Sequence, residues 1–331
     1  MTLVQASGLD SWAIRPATPL HHPRIADFLA TTAGIAGRKF AADSRDVAEQ
    51  LAGAFPDAVH LVLDESRRVR GYAVLHPPHG QEPEVVAEFV FDPAAPAPVI
   101  DDVVAGTVER FRAEAASIPG AYLRTFIGTD QQRAIDALIG HGARQEGQFI
   151  RTRKDLSGED TEALEALRID GLTLLSWPEV IERGLLEQVR QLQFDTFQEH
   201  FGNMSKTPEV FAHHIQSRSF TPDFSNAVVN CAGAAVGYVL GSTYIYLNQG
   251  VEERSAHTDY IGVHKDQRKR GIAEFLLRKV WSAALRRGLS LASLGTDIHN
   301  RSNAHILYER LGYRAVEHQF AYRIDAATGT K

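Results

Sequence analysis

A chain of 331 residues with 44% hydrophobic and 23% charged residues has room for two cores, and no apolar run is long enough to span a bilayer. The net charge of −6 argues against general nucleic-acid binding, which needs a basic face, and suits a cationic partner such as an amine. Cys231 is the one cysteine, so neither an intrachain disulfide nor a cysteine metal cluster is available, and it reads as a small buried hydrophobe.

Fourteen histidines show no His-Glu-x-x-His spacing, and no metal is expected. The first residues carry no basic n-region or apolar core, so the expectation is a cytoplasmic protein with no membrane partner.

Taken in chain order, the elements occur twice. Trp12–Arg15 predicts a strand, broken by Pro16 and Pro19, and helical periodicity follows around residues 25–32. A hairpin is predicted from His60–Leu63 and Arg70–Leu75. A strand at Val85–Phe91, a long helix at Val99–Ala116, a strand at Tyr122–Ile127 and a short helix ending at Gly142 come next. A charged connector, Ser157–Gly171, separates the halves and places the boundary at 1–156 and 157–331.

The second half repeats the order. Leu172–Leu175 is a strand, and Pro178 opens a helix running to Phe197. Thr207 caps another helix. A hairpin of Asn226–Cys231 and Val236–Leu240 follows, then a strand at Thr258–Val263. A helix at Ala273–Arg287, a strand at Leu289–Thr296 and a short helix ending at Gly312 complete it. Gly71-Tyr72 and Gly237-Tyr238 stand at the same place in the two hairpins. The reading is a mixed α/β sheet packed by helices, built twice, in which terminal strands of one half can pair into the other.

Two stretches carry chemistry. In the first, a strand ending Tyr260-Ile261-Gly262-Val263 leads into the basic loop Lys265–Arg270, then Gly271-Ile272-Ala273 at the start of an amphipathic helix. Amides at a helix start, small residues that admit a phosphate, and Arg268, Lys269 and Arg270 together make an anion site. The second, Asn300–Tyr313, is a polar loop with Asn303, a short helix bearing Tyr308, and a glycine stop.

Arg268-x-x-Gly271-x-Ala273 resembles motif A of the GNAT superfamily of N-acetyltransferases, and the Asn–Tyr308–Leu311-Gly312-Tyr313 segment resembles its motif B. With Phe197–Gly202 after the first helix of the second half, the layout resembles mycothiol synthase and its tandem-domain relatives. The resemblance implies two tandem GNAT-type domains, covering residues 12–155 only in layout. It implies acetyl-coenzyme A as cosubstrate and a small-molecule primary amine as acceptor, attacked directly in a ternary complex by a monomer or homodimer.

By the resemblance, Ile261, Gly262 and Val263 would pair with pantetheine, residues Arg268 to Ala273 would hold the pyrophosphate, and Asn300 or Asn303 would touch the pantetheine arm. Tyr308 would reprotonate the leaving thiolate; its alternative role is packing. Asp259 would serve as base; its alternative is a solvated strand position. Asp259 and His257 are two apart and share a strand face, and Glu199, His200 and His257 would line the acceptor.

The first half lacks the signature: Asp92–Ile100 has three prolines and no arginine or glycine, and Leu138 stands where Tyr308 does, so this half reads as degenerate. The competing reading for the whole chain is a non-catalytic coenzyme A sensor or scaffold.

Overall fold

A computed structural model describes residues 12–31, 43–79, 82–198, 204–248, 251–299 and 303–326. The elements are β1 (Ala13–Pro16), α1 (His22–Thr31), α2 (Ser44–Leu51), β2 (Val59–Leu63), β3 (Val69–His76), β4 (Glu84–Phe91), α3 (Ala97–Ala115), β5 (Tyr122–Gly128), α4 (Gln132–Gly140) and β6 (Arg144–Asp155). There follow α5 (Thr161–Ala166), β7 (Leu172–Ser176), α6 (Trp177–Glu182), α7 (Leu186–Phe197), α8 (Pro208–Gln216), β8 (Asn226–Asn230), β9 (Ala235–Asn248), β10 (Val251–Val263), α9 (Ile272–Arg286), β11 (Leu291–Asp297), α10 (Ala304–Arg310) and β12 (Arg314–Asp325). None of the described helices is long and apolar enough to cross a membrane.

The chain divides into two compact units, and the division is not a single cut. Unit one is residues 1–149 with 246–252 and 317–331; unit two is residues 150–245 and 253–316. The boundary expected at 157 therefore moves in two ways. The second half of β6 belongs to unit two, and most of β12, the last of the described strands, belongs to unit one.

In unit one the strands run β1-β2-β3-β4-β5-β12. β4 and β5 are parallel, and β12 closes antiparallel on β5 with Phe320 opposite Ile127. Strict alternation buries both faces. Leu61, Tyr72 and Val74 face α1 and α2, while Val62, Ala73 and Leu75 face α3 and α4. At the end of the sheet Arg124, Glu84, Tyr122 and Glu146 form a buried charge network, with Arg124 Nε donating to Glu84 at 2.6 Å.

In unit two the order from β6 is β11-β10-β9-β8-β7. α9 buries Leu276, Leu277 and Val280 completely, each worth about 1.5–3 kcal/mol. The connector segment takes part in this core: Leu156 and Leu164 pack with α9. Trp281 donates its indole N–H to the Tyr313 hydroxyl at 2.8 Å inside it.

Three expectations change. The helix expected to run unbroken to Phe197 is α6 followed by α7, because Gly184 takes φ +67 and ends α6 with its amide on the Ile181 carbonyl. The hairpin strand expected at Val236–Leu240 extends to Asn248, and the separate strand expected at Thr258–Val263 begins at Val251. Cys231 is exposed, not buried, because it stands in the β8–β9 turn.

The strand exchange makes a prediction. A fragment of residues 157–331 lacks the part of β6 that lies beside β11, where Leu156 N–H donates to the Ser290 carbonyl at 2.8 Å, and it carries β12 without β5. Two open sheet edges result. Each fragment, 1–156 or 157–331, should lack a cooperative thermal transition by circular dichroism, and co-expression of the two should restore it.

Candidate functional site

The site forms where β10 leaves its neighbour. β10 and β11 pair in parallel only over Ala256↔Ala292, His257↔Ser293 and Thr258↔Leu294, although β10 continues to Val263 and β11 to Asp297. Residues 259–263 and 295–297 therefore face a cleft between diverging strands. Gly295 is exposed there, with no atom within 4 Å of where a Cβ would stand.

Ile261, Gly262 and Val263 end β10 at this cleft. Gly262 is a glycine for packing as well: a Cβ would lie 2.5 Å from Thr196 Oγ1 and 2.5 Å from the Tyr238 ring. The Tyr238 hydroxyl in turn bonds Thr196 at 3.1 Å. Gly237 and Gly71, the repeated glycines of the two hairpins, also sit under close neighbours, Ile272 and Phe91.

Val263 hands the chain to the basic loop. Arg268 Nε donates to the Val263 carbonyl at 3.3 Å, and Lys269 and Gly271 take left-handed φ of 63° and 78°. The turn brings six consecutive amides, residues 269–274, to the start of α9, where they donate to no group among the described residues. Arg268, Lys269 and Arg270 are exposed around them, and Ile272 is buried as the first anchor of the helix. Unsatisfied amides at the positive end of a helix dipole bind an anion.

Tyr308, on α10, is 7% exposed and lies edge-on to Tyr313 with centroids 6.1 Å apart. Burial raises its phenol to about 12, so it is a proton donor at any ordinary pH. Asn303 is exposed at the N-cap of α10 with φ 50° and makes no side-chain cap bond. Asn300, Glu199 and His200 lie outside the described residues.

Asp259 occupies the first position beyond the paired stretch. Ser242 Oγ donates to its Oδ2 at 2.5 Å, and His214 Nε2 lies 3.6 Å from the same oxygen. Burial pushes the carboxyl up to about 7, with the Ser242 hydrogen bond and Lys206 opposing. Burial likewise lowers His214 to about 3. The contact is therefore between a neutral imidazole and a carboxyl near its midpoint, and not a formed ion pair.

His257 shares a face with Asp259, as their spacing implies: Tyr244 and Ser242, two apart on β9, meet His257 and Asp259 respectively. The His257 ring is covered by Tyr244 at 3.9 Å and its Nδ1 pairs with Ser293 Oγ at 2.8 Å. The ring is buried and packed beside Asp259. Tyr260 also meets the His214 ring, with centroids 5.2 Å apart. Consecutive residues Asp259 and Tyr260 reach one ring only if the strand departs from strict alternation where pairing with β11 stops.

Ser242, His214 and Thr196 carry no site signal in the sequence, and Tyr238 stands out there only as part of the hairpin repeat, since only tertiary packing brings them to β10. Among the described residues no group of three His, Cys, Asp or Glu side chains could hold a metal ion.

Unit one offers a comparison at the same place. Asp92 N–H donates to the Arg70 carbonyl at 2.8 Å, as His264 N–H does to Val236 at 2.9 Å, which aligns Phe91 with Val263. β4 and β5 also diverge, their register ending at Ala87↔Thr125. Here the buried Gln131 fills the divergence: its Oε1 accepts from Phe91 N–H at 3.1 Å and its Nε2 donates to the Phe91 carbonyl at 3.2 Å. Asp92 captures the Ala94 and Ala95 amides, and Pro93, Pro96 and Pro98 have none to offer. No anion cradle remains.

Gly262 and Gly271 should respond differently to alanine. Gly262→Ala overpacks against Thr196 and Tyr238 and should cost about 1–3 kcal/mol. Gly271→Ala meets open space and should cost about 1–2 kcal/mol through its left-handed φ alone. Chemical denaturation, with coenzyme A titrations on both variants, checks the ranking.

Residues 224–315 match the acetyltransferase (GNAT) domain. A mycothiol acetyltransferase of Rhodococcus opacus (strain B4) is 27% identical over 306 residues, covering 88% of this chain and 93% of the relative. A GCN5-related N-acetyltransferase from Sphaerobacter thermophilus superposes with a TM-score of 0.71 at 21% identity, over 97% of this chain and 98% of that one. A tandem GNAT protein from the clavulanic acid biosynthesis pathway gives 0.67 at 17% identity, over 96% and 99%. The part of the chain that holds the diverging strands and the amide cradle of unit two thus matches the GNAT acetyltransferase domain, and the whole chain shares the fold of a tandem GNAT protein.

Proposed function

We propose that unit two transfers an acetyl group from acetyl-coenzyme A to the primary amine of a small molecule, by direct attack in a ternary complex. The observation that carries this reading is the run of undonated amides at residues 269–274, placed next to the strand divergence at Val263. The similarity to a protein named mycothiol acetyltransferase supports a small-molecule acceptor.

In this reading the amides and the side chains of Arg268, Lys269 and Arg270 hold the pyrophosphate. The backbone of Ile261, Gly262 and Val263 aligns the pantetheine arm, with Asn300 or Asn303 beside it. Arg268 must release the Val263 carbonyl as it turns to the phosphates. An amide at the end of β10 polarises the thioester carbonyl.

The amine must arrive uncharged at the carbonyl. Asp259 takes its proton, and a carboxyl near 7 is matched to that task at neutral pH. The amine lone pair forms the C–N bond, the attacking nitrogen gives up its second proton to solvent, the C–S bond breaks with its electron pair on sulfur, and Tyr308 gives its phenolic proton to that sulfur. The phenolate then recovers a proton from solvent.

Tyr308→Phe should lower turnover by about 10²–10⁴-fold, the range of a positioned acid, with coenzyme A affinity close to wild type. Release of free thiol from acetyl-coenzyme A against a panel of amines, followed under single-turnover conditions, measures it. Unchanged turnover at every pH would make the tyrosine a packing residue.

Coenzyme A should bind once per chain in calorimetry. Gly271→Glu, which sets a carboxylate at the phosphate position, should abolish that binding. Two equivalent sites would return a role to unit one.

A further inference from the structure

His214 is a polar group that the reaction written above does not use. Its ring lies edge-on to Tyr260 and to Phe220, with centroids at 5.2 and 5.9 Å. Its Nε2 is buried and has no hydrogen-bond partner. A buried ring nitrogen left unpaired is costly and calls for a reason. The nearest candidate partner is Asp259 Oδ2, at 3.6 Å. That distance is too long for a formed hydrogen bond and is closed by a small movement.

We propose that His214 is a positioning residue for the proton that Asp259 receives: Nε2 accepts the hydrogen of the protonated carboxyl, while Ser242 donates to the ionised one. The inference rests on Asp259 acting as the base of the proposed function. The two neighbours then favour opposite states of a single carboxyl, Ser242 the carboxylate and His214 the acid. Each state of the carboxyl thus has one neighbour that pairs with it, and protonation supplies the partner that Nε2 lacks.

The charged and titratable groups around the pair fit this division. Lys206, with its ammonium over the Tyr260 ring at 4.7 Å, favours the carboxylate and disfavours an imidazolium. His213 adds to the second effect. Tyr244 lies two residues along β9 from Ser242, and burial, with Asp259 nearby, raises its phenol so that it stays neutral. An imidazole that stays neutral accepts through Nε2 when its proton is on Nδ1.

The step balances. An ammonium N–H bond breaks and leaves its pair on nitrogen, an O–H bond forms on Asp259 Oδ2, and that hydrogen points to Nε2. His214 gains no charge, and solvent removes the proton after product leaves.

The test is the ionisation of Asp259 in the full chain without substrate, read from its carboxyl ¹³C resonance and assigned by its loss in Asp259→Asn. Ser242→Ala should raise the midpoint and His214→Phe should lower it, each by about one pH unit, a tenfold change in the acid constant. His214→Gln, whose amide oxygen can accept, should lie closer to wild type than His214→Phe. The acid limb of kcat/KM should move in the same directions.

Midpoints that stay fixed, or that shift the same way in Ser242→Ala and His214→Phe, overturn the inference. Opposite midpoint shifts with an unmoved acid limb overturn Asp259 as base, and His214's role with it. Acetyl transfer itself, read from thiol release, is judged separately.

Discussion

Backbone hydrogen bonding governs this molecule at the point where a parallel strand pair comes apart. A strand that leaves its neighbour exposes N–H and C=O groups that need partners. In unit one the debt is settled internally, by the side-chain amide of Gln131 on Phe91. In unit two β10 runs on past Thr258 without β11 beside it, and an exposed arginine reaches the last carbonyl at 3.3 Å. The two units share a scaffold and differ in who completes the edge. The local substitutions follow from this: prolines and Asp92 use up the amides of one loop, while glycine and alanine leave those of the other available.

The same divergence organises the proton-handling side of the site. Where pairing with β11 stops, strict alternation stops as well, and Asp259 and Tyr260 both reach His214. Burial then sets the charges. It holds a carboxyl near neutrality and an imidazole uncharged, and it keeps the Tyr308 phenol protonated. Desolvation is the largest cause in each case, opposed only at Asp259 by Ser242 and Lys206, so the fold tunes these groups mainly by excluding water.

Much of this was legible in the sequence because it is written locally. Arg268, Gly271 and Ala273 fall within six residues, and their strand–turn–helix setting is readable from periodicity. The repeated Gly-Tyr in the hairpins marked the duplication, and close packing under Gly71 and Gly237 gives its physical cause. What was not legible depends on residues distant in the chain. Ser242 and His214 gain meaning only when β9 and α8 are laid beside β10, and Gln131 only when α4 follows a diverging strand. Gly184 did carry a signal, an Arg-Gly pair inside a helical pattern, but the hydrophobic periodicity on either side masked the break. Cys231 was misread because its apolar neighbours belong to β8, whereas Ala232-Gly233 already belongs to the turn.

The placement of β12 carries a consequence for how the protein is made. Ala321, Tyr322 and Ile324 fill the core of unit one, opposite Phe126, Thr125 and Leu123, yet they are synthesised after unit two. During translation β5 must wait with an open edge while the whole of unit two emerges. Unit one leaves the ribosome first and closes only once β12 has followed unit two. Closing so long a loop is slow, and it ties the maturation of unit one to the synthesis of unit two. Truncation before Glu317 would thus leave β5 an open edge in unit one although the cradle and cleft of unit two had already been made.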